Sequence, residues 1–198
     1  MDGKLIEEYV EESTWRTKAN ANHNKSFSGL QSHIAGTVLA RDAITKLGRI
    51  GKRHLDGTYH LHNLEGGIYS KYCNGNDLLT LLQRGLINVG SVSAKPAKHF
   101  NTALDQIVNY TYLMTGEFMG AQAWRDLDIL LAPFVYHDQL KYEQVKQEIQ
   151  QLIWNLSFNL RPGYQSPFTN ITFGLRPSKY YKELSPGNIR YKENTYVD

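Results

Sequence analysis

The sequence predicts an α/β fold, and three observations carry that prediction. Apolar residues recur at helical spacing over long stretches, short strand-like runs stand between them, and glycine or proline marks most of the joints. Helices alternating with short strands imply layers of helix on sheet. The strands are few for a chain of 198 residues, so the sheet is expected to be incomplete within it.

The elements follow in order. Residues 1–24 are charged and Asn-rich, and Asn20, Asn22 and Asn24 compete for local backbone hydrogen bonds, which predicts irregular backbone. Ser26 or Ser28 then caps a helix from about Gly29 to Leu47, with Leu30, Ile34, Val38 and Ala43 in its stripe and Gly48 and Gly51 as its stop. Residues 57–64 alternate like a strand, and Tyr69 to Cys73 reads as a second extended piece reaching a Cys73-Asn74-Gly75 turn. Asn76 or Asp77 caps a short helix through Leu78 and Leu82 that stops at Gly85. Pro96 precedes a helix over 97–115, and a small-residue segment from Gly116 to Ala123 leads into 124–131. A further amphipathic helix spans 142–157, Arg161-Pro162-Gly163-Tyr164 breaks it, and Phe168 to Leu175 is strand-like. This divides the chain into an amino-terminal segment (1–24), a main domain (25–175) and a polar tail (176–198) expected to be flexible unless paired with a second chain.

Composition narrows the function classes. A formal charge of +3 is too small to imply nucleic-acid or membrane binding. No stretch approaches the roughly 20 apolar residues of a membrane span, and the first eight residues lack a signal-peptide core. A soluble, cytoplasmic domain is expected. The single cysteine, Cys73, rules out an internal disulfide.

Few side chains carry chemistry on their own. Cys73 reads either as a small buried hydrophobe or as a redox thiol beside a glycine that permits close approach. With one cysteine and no third ligand near His60 and His62, no metal site is expected; His62 beside Asn63 reads as a polar contact in a pocket. Gln165-Ser166-Pro167-Phe168-Thr169-Asn170 reads equally as a ligand-binding loop or an ordinary turn. No phosphate loop and no Ser-His-Asp arrangement can be assembled.

A collinear set of segments goes further. Trp15-Arg16, Lys18-Ala19-Asn20-Ala21-Asn22 and Ser26-Phe27-Ser28-Gly29-Leu30 open it, followed by Tyr59-His60-Leu61-His62-Asn63-Leu64 and Tyr72-Cys73-Asn74-Gly75. Pro96-Ala97-Lys98-His99-Phe100, Ala103-Leu104-Asp105-Gln106, Gly120-Ala121-Gln122-Ala123, Leu131-Ala132-Pro133-Phe134 and the Gln165–Asn170 segment complete it. Together they resemble the anaerobic (class III) ribonucleoside-triphosphate reductases, a glycyl-radical family, over the amino-terminal part of the catalytic subunit.

The resemblance implies the amino-terminal half of a ten-stranded α/β barrel with long interface helices. It implies reduction of ribonucleotides to deoxyribonucleotides, with Cys73 as the strand cysteine acting at the 2′ position. His62, Gln165, Ser166, Thr169 and Asn170 would line the substrate site, and Lys98 and Gln106 would lie near a deoxynucleotide effector. The thiyl-forming cysteine, the radical glycine and a four-cysteine zinc site have no counterpart among these residues. The resemblance therefore implies a second reductase fragment carrying the radical glycine, a radical-SAM activating enzyme, formate or a thiol as reductant, and a homodimer formed through helices. Without those parts the chain is not expected to be active alone; the alternative is a non-catalytic nucleotide-binding and dimerisation module. Asn63 stands where the family commonly has Asp, and Tyr164 where a second glycine is frequent.

Overall fold

The computed structural model describes residues 2–11, 25–66, 68–87, 93–162 and 165–174. The chain forms two compact units that interleave in sequence. The first holds Met1–Tyr72, Thr115–Gly120 and Asn159–Pro167; the second holds Cys73–Met114, Ala121–Phe158 and Phe168–Asp198.

The first unit is built on helices. Helix α1 (Asp2–Glu11) buries Leu5 and Tyr9, four residues apart on one face, where irregular backbone was expected. Helix α2 (Phe27–Lys46) starts at the predicted Ser26, whose side chain accepts the Gly29 N–H at 3.0 Å. The Tyr9 hydroxyl holds the same cap, donating to the Ser26 carbonyl at 3.2 Å and accepting the Ser26 N–H at 3.0 Å. The predicted glycine stop is only half observed. Gly48, at φ +54, ends α2, but the chain turns straight into helix α3 (Arg49–Leu55). Gly51 sits inside α3 because a Cβ there would lie 2.1 Å from the Ile44 carbonyl oxygen.

The strand predicted over 57–64 is not formed. Residues 56–59 form turns and bends, and a 3-10 turn covers Leu64–Gly66. Alternation alone misled here: Asn63 takes a left-handed φ of +54, and the Leu61 N–H is spent on His54 Nδ1 at 3.1 Å, so no ladder is built.

The second unit carries a three-stranded parallel sheet in the order β1 (Asn74–Asn76), β2 (Gln122–Trp124), β3 (Thr169–Ile171). Asn74, Gln122 and Thr169 share one rung; Gly75, Ala123 and Asn170 share the next; Asn76, Trp124 and Ile171 share the third. Where a turn was predicted at Cys73-Asn74-Gly75, the chain runs on as β1. The turn residues were read correctly as types but not in context, because the neighbouring strand supplies hydrogen bonds that outweigh their local preference.

Between the strands run α4 (Leu78–Arg84), α5 (Phe100–Thr115), α6 (Leu127–His137) and α7 (Tyr142–Leu156). Asp77 caps α4 as predicted, accepting the Thr80 N–H at 3.2 Å. Helix α5 begins at Phe100, three residues later than its apolar pattern. Its first turn is capped from a distance: Asp138, just after α6, accepts the Phe100 N–H at 2.7 Å and meets His99 Nδ1 at 2.9 Å. Ala97, Phe100, Leu104, Ile107 and Val108 pack with Leu78, Leu82, Leu130, Phe134, Leu152 and Leu156 into one core.

Trp124 is the largest fully buried side chain of that core. Its indole N–H donates to Thr111 Oγ1 at 3.0 Å, and the Tyr110 ring meets its edge at 5.4 Å. Trp124→Phe is expected to destabilise the protein by about 1–3 kcal/mol, from lost volume and the lost donor. A urea midpoint unchanged from the parent would show that this contact is not a structural anchor.

Among the described residues no helix is long and apolar enough to cross a membrane. The predicted polar tail, the Trp15–Asn24 segments and Tyr164 lie outside the described residues.

Candidate functional site

The sheet of the second unit has two unlike faces. Successive residues of a strand point to opposite sides. Asn76, Gln122 and Trp124 are buried on one side, while Gly75 and Asn170 are exposed on the other with Ala123 half-buried between them. Cys73 and Ala121 lie two residues before Gly75 and Ala123, so the same alternation puts them on the open side. Cys73 is exposed, and its Sγ accepts the Ala121 N–H at 3.3 Å. Ala121 uses its carbonyl for the Asn74 N–H at 2.9 Å, so the two strands are joined at the sulfur by one backbone residue.

Small residues keep this face clear. A Cβ on Gly75 would meet nothing within 4 Å. The arrangement offers an accessible thiol and an accessible amide, Asn170, across a floor of Gly75, Ala121 and Ala123. Of the predicted site residues, the sheet thus brings Cys73 and Asn170 onto one side. Thr169 belongs to the buried-side rung of Asn74 and Gln122.

Gln122 was legible only as part of a small-residue segment. It is fully buried, and among the described residues neither of its amide atoms has a hydrogen-bond partner. An unmet buried amide costs roughly 1–3 kcal/mol, whereas an apolar side chain of the same shape removes that cost. Gln122→Met is therefore expected to leave the protein as stable as the parent or up to about 1 kcal/mol more stable. Loss of more than that in a denaturant titration would mean the amide is satisfied by an ordered water.

His62, Gln165 and Ser166 lie in the first unit. His62 is exposed, and its ring meets the Tyr72 ring edge-on at 5.3 Å and the His60 ring at 5.9 Å. Gln165 is 9% exposed, and its carbonyl accepts the Arg161 N–H at 2.9 Å in an isolated antiparallel bridge; Ser166 follows, half-buried. The Arg161 guanidinium donates to the Met119 carbonyl. Burial pushes that guanidinium below its usual value, with Tyr72 acting in the opposite direction. Arg161 entered the sequence reading only as part of a helix breaker. A cation placed between a helix end and a polar loop was the signal available.

The two predicted effector residues stand in the second unit. Gln106 is buried in α5, its Nε2 donating to the Lys95 carbonyl at 2.7 Å; Lys98 is exposed ahead of the helix. A separate cleft lined by Asp77, Thr80, Leu81, Arg84, Leu86 and Tyr110 contains none of the predicted site residues. No group of three or more His, Cys, Asp or Glu able to hold a metal ion occurs among the described residues.

Solved structures of the anaerobic ribonucleotide reductase from Thermotoga maritima share the fold. The complex with dATP and CTP superposes with a TM-score of 0.65 at 16% identity, over 86% of this chain and 32% of that one. The form with dATP bound in the specificity site gives 0.66 at 18% identity, over 86% and 30%. The chain thus spans about a third of the length of these structures. No curated protein matches the sequence. The pattern of the family described as anaerobic ribonucleoside-triphosphate reductase matches residues 19–195, which takes in every strand of the sheet and both flanks of Cys73. That match covers most of the chain, and the chain belongs to the anaerobic ribonucleoside-triphosphate reductase family.

Proposed function

We propose that this chain supplies the substrate-side strands of an anaerobic ribonucleotide reductase, with Cys73 as the thiol that acts at the 2′ position. The observation that supports the reading best is the open sheet face, where Cys73 and Asn170 stand over glycine and alanine and the sulfur is fixed by the Ala121 amide. The three parallel strands would form part of a ten-stranded barrel, and His62, Gln165, Ser166 and Thr169 would complete the substrate surroundings. Lys98 and Gln106 would bear on a deoxynucleotide effector, and α5 would serve a homodimer.

Replacing a 2′-hydroxyl by hydrogen releases water and consumes two electrons and two protons. Cys73 delivers hydrogen to that carbon in this reading, and formate, oxidised to carbon dioxide, or a thiol makes up the balance. The radical glycine and the thiyl-forming cysteine belong to further polypeptide beyond these residues, with a radical-SAM enzyme as the activator. One cysteine cannot provide four thiolates, so the residues present do not fit the family's four-cysteine zinc site, and no step here passes through zinc.

The test is anaerobic. The chain is combined with the polypeptide bearing the radical glycine, activated, and assayed for conversion of CTP to dCTP with formate or a dithiol. Product formation that requires this chain supports the reading. The single cysteine favours one rival, a nucleotide-binding and dimerisation module without catalysis. Binding of dATP with no product in any such mixture would establish the rival instead.

A further inference from the structure

We propose that His54 is a positioning residue for His62: it holds the 60–62 segment through the Leu61 N–H only while its own ring is neutral, so the placing of His62 depends on pH. The proposal deepens the reductase reading and rests on it for what His62 does, not for how His62 is held.

The observations all lie within the first unit. His54, half-buried in the last turn of α3, accepts the Leu61 N–H on Nδ1 at 3.1 Å. The residues just before have ties of their own. The Thr58 N–H meets Asp56 Oδ1 at 2.9 Å, the Tyr59 N–H meets the Arg53 carbonyl at 3.3 Å, and the Tyr59 hydroxyl meets the Ile50 carbonyl at 3.2 Å. Among the described residues, 60–62 have no hydrogen-bond partner besides the His54 ring. Ring contacts continue the line, from His54 to His60 at 5.5 Å, His60 to His62 at 5.9 Å, and His62 to Tyr72 at 5.3 Å.

The chemistry of the tie gives it a sign. A ring nitrogen that accepts an N–H carries no proton, so Nδ1 is the bare nitrogen of a neutral imidazole. A further proton goes to that atom, sets N–H against N–H, and the bond is lost. Imidazole takes up this proton within roughly pH 5 to 8, so the tie is present at the alkaline end and lost at the acid end. The charged and titratable groups around the ring are His60 in the loop, Arg49, Lys52 and Arg53 on α3 itself, and Asp56 and Glu65 in the turns that follow. Helix α2, packed against α3, adds Arg41, Asp42 and Lys46. Asp42 is engaged with Lys46 at 2.9 Å and Asp56 with Thr58; among the described residues no carboxylate pairs with His54, His60 or His62. A proton on His54 therefore gains no counter-ion there and stands beside a second ring able to take a charge. Both effects release the 60–62 segment. A merely structural His54 would hold that segment at every pH, and this is the competing account.

NMR titration of the 198-residue chain from about pH 8 to about pH 5 separates the two. In the parent, the Leu61 amide and the His54 ring are expected to shift with one shared midpoint, and the NOE between the His62 and Tyr72 rings to fade through it. His54→Asn keeps an acceptor oxygen near the place of Nδ1 and takes up no proton, so both signals are expected to persist across the range. A Leu61 amide that ignores the His54 midpoint, or an NOE lost alike in His54→Asn, overturns the proposal. Should the variant lose its native circular dichroism, the presence or absence of the shared midpoint in the parent decides. The activated, combined system supplies the second readout. From the alkaline to the acid end, the parent's KM for CTP is expected to rise roughly two- to tenfold more than that of His54→Asn, the scale of one hydrogen bond, with kcat following one profile in both. Equal KM profiles would overturn the positioning role. No product in any mixture, with the NMR titration as described, would keep the hold of His54 on His62 and remove the reductase reading.

Discussion

Cys73→Ser is expected to lower dCTP formation in the activated, combined system by roughly a thousandfold or more, the scale seen when one member of a catalytic unit is removed. The serine hydroxyl is close in size to the thiol and can still accept the Ala121 N–H, so the strand pairing at Asn74 is kept. What is lost is a hydrogen that a carbon radical can take easily, because the O–H bond is much stronger than S–H. The KM for CTP should remain within about twofold of the parent, since a group acting only in the chemical step leaves ground-state binding alone. That split is the informative part. Activity within tenfold of the parent would remove Cys73 from the chemistry. A large rise in KM with kcat preserved would make it a binding residue.

How far the sequence exposed each residue of this candidate site differs from residue to residue, for physical reasons. Cys73 stood out because it is the single cysteine, and its setting with Gly75 was recognisable. Its placement on a strand was not. Asn74 and Gly75 carry strong local turn preferences, and only pairing with Ala121–Trp124, some 48 residues away, decides against them. The reverse error occurred at 57–64, where a regular alternation suggested a strand. His54 intercepts the Leu61 N–H, and Asn63 turns left-handed, so the alternating pattern had no partner to pair with.

Helices fared better because their signals are local. Type and spacing narrowed each cap to two candidates, Ser26 or Ser28 and Asn76 or Asp77, and in each pair one, Ser26 and Asp77, makes the bond that a cap requires. Helix α5 shows the limit of that approach. Its first turn is satisfied by Asp138, which no window around Pro96 contains. Arg161 and Gln122 were hidden for a related reason. Each is notable for where it is buried, a property set by distant segments and invisible in the neighbouring residues.

Gly85→Ala is expected to be the most damaging single methyl addition among the described glycines of the second unit. Gly85 ends α4 at φ +78 and ψ −173, a backbone region essentially confined to glycine that costs an L residue about 1–3 kcal/mol. Space is the larger obstacle. An added Cβ would lie 2.2 Å from the Ala94 carbonyl oxygen and 2.5 Å from the Lys95 carbonyl carbon, both backbone atoms that cannot swing aside as a side chain would. Relief requires the 94–95 segment to retreat, and that segment is committed. The Ala94 carbonyl accepts the Leu86 N–H at 2.9 Å, the Ala94 N–H returns to Leu86 at 2.8 Å, and the Lys95 carbonyl holds Gln106 Nε2 at 2.7 Å. Strain and overpacking together come to about 3 kcal/mol, a large share of the roughly 5–15 kcal/mol that holds a domain folded. The loss should appear as a lower urea midpoint at unchanged slope. Gly75→Ala is the control, since it adds the same methyl on the same unit where nothing stands within 4 Å. Equal midpoints for the two variants would show that the α4 exit is not constrained as described. A fall confined to Gly85→Ala would show that the Leu86–Ala94 bridge holds the exit of α4 against retreat.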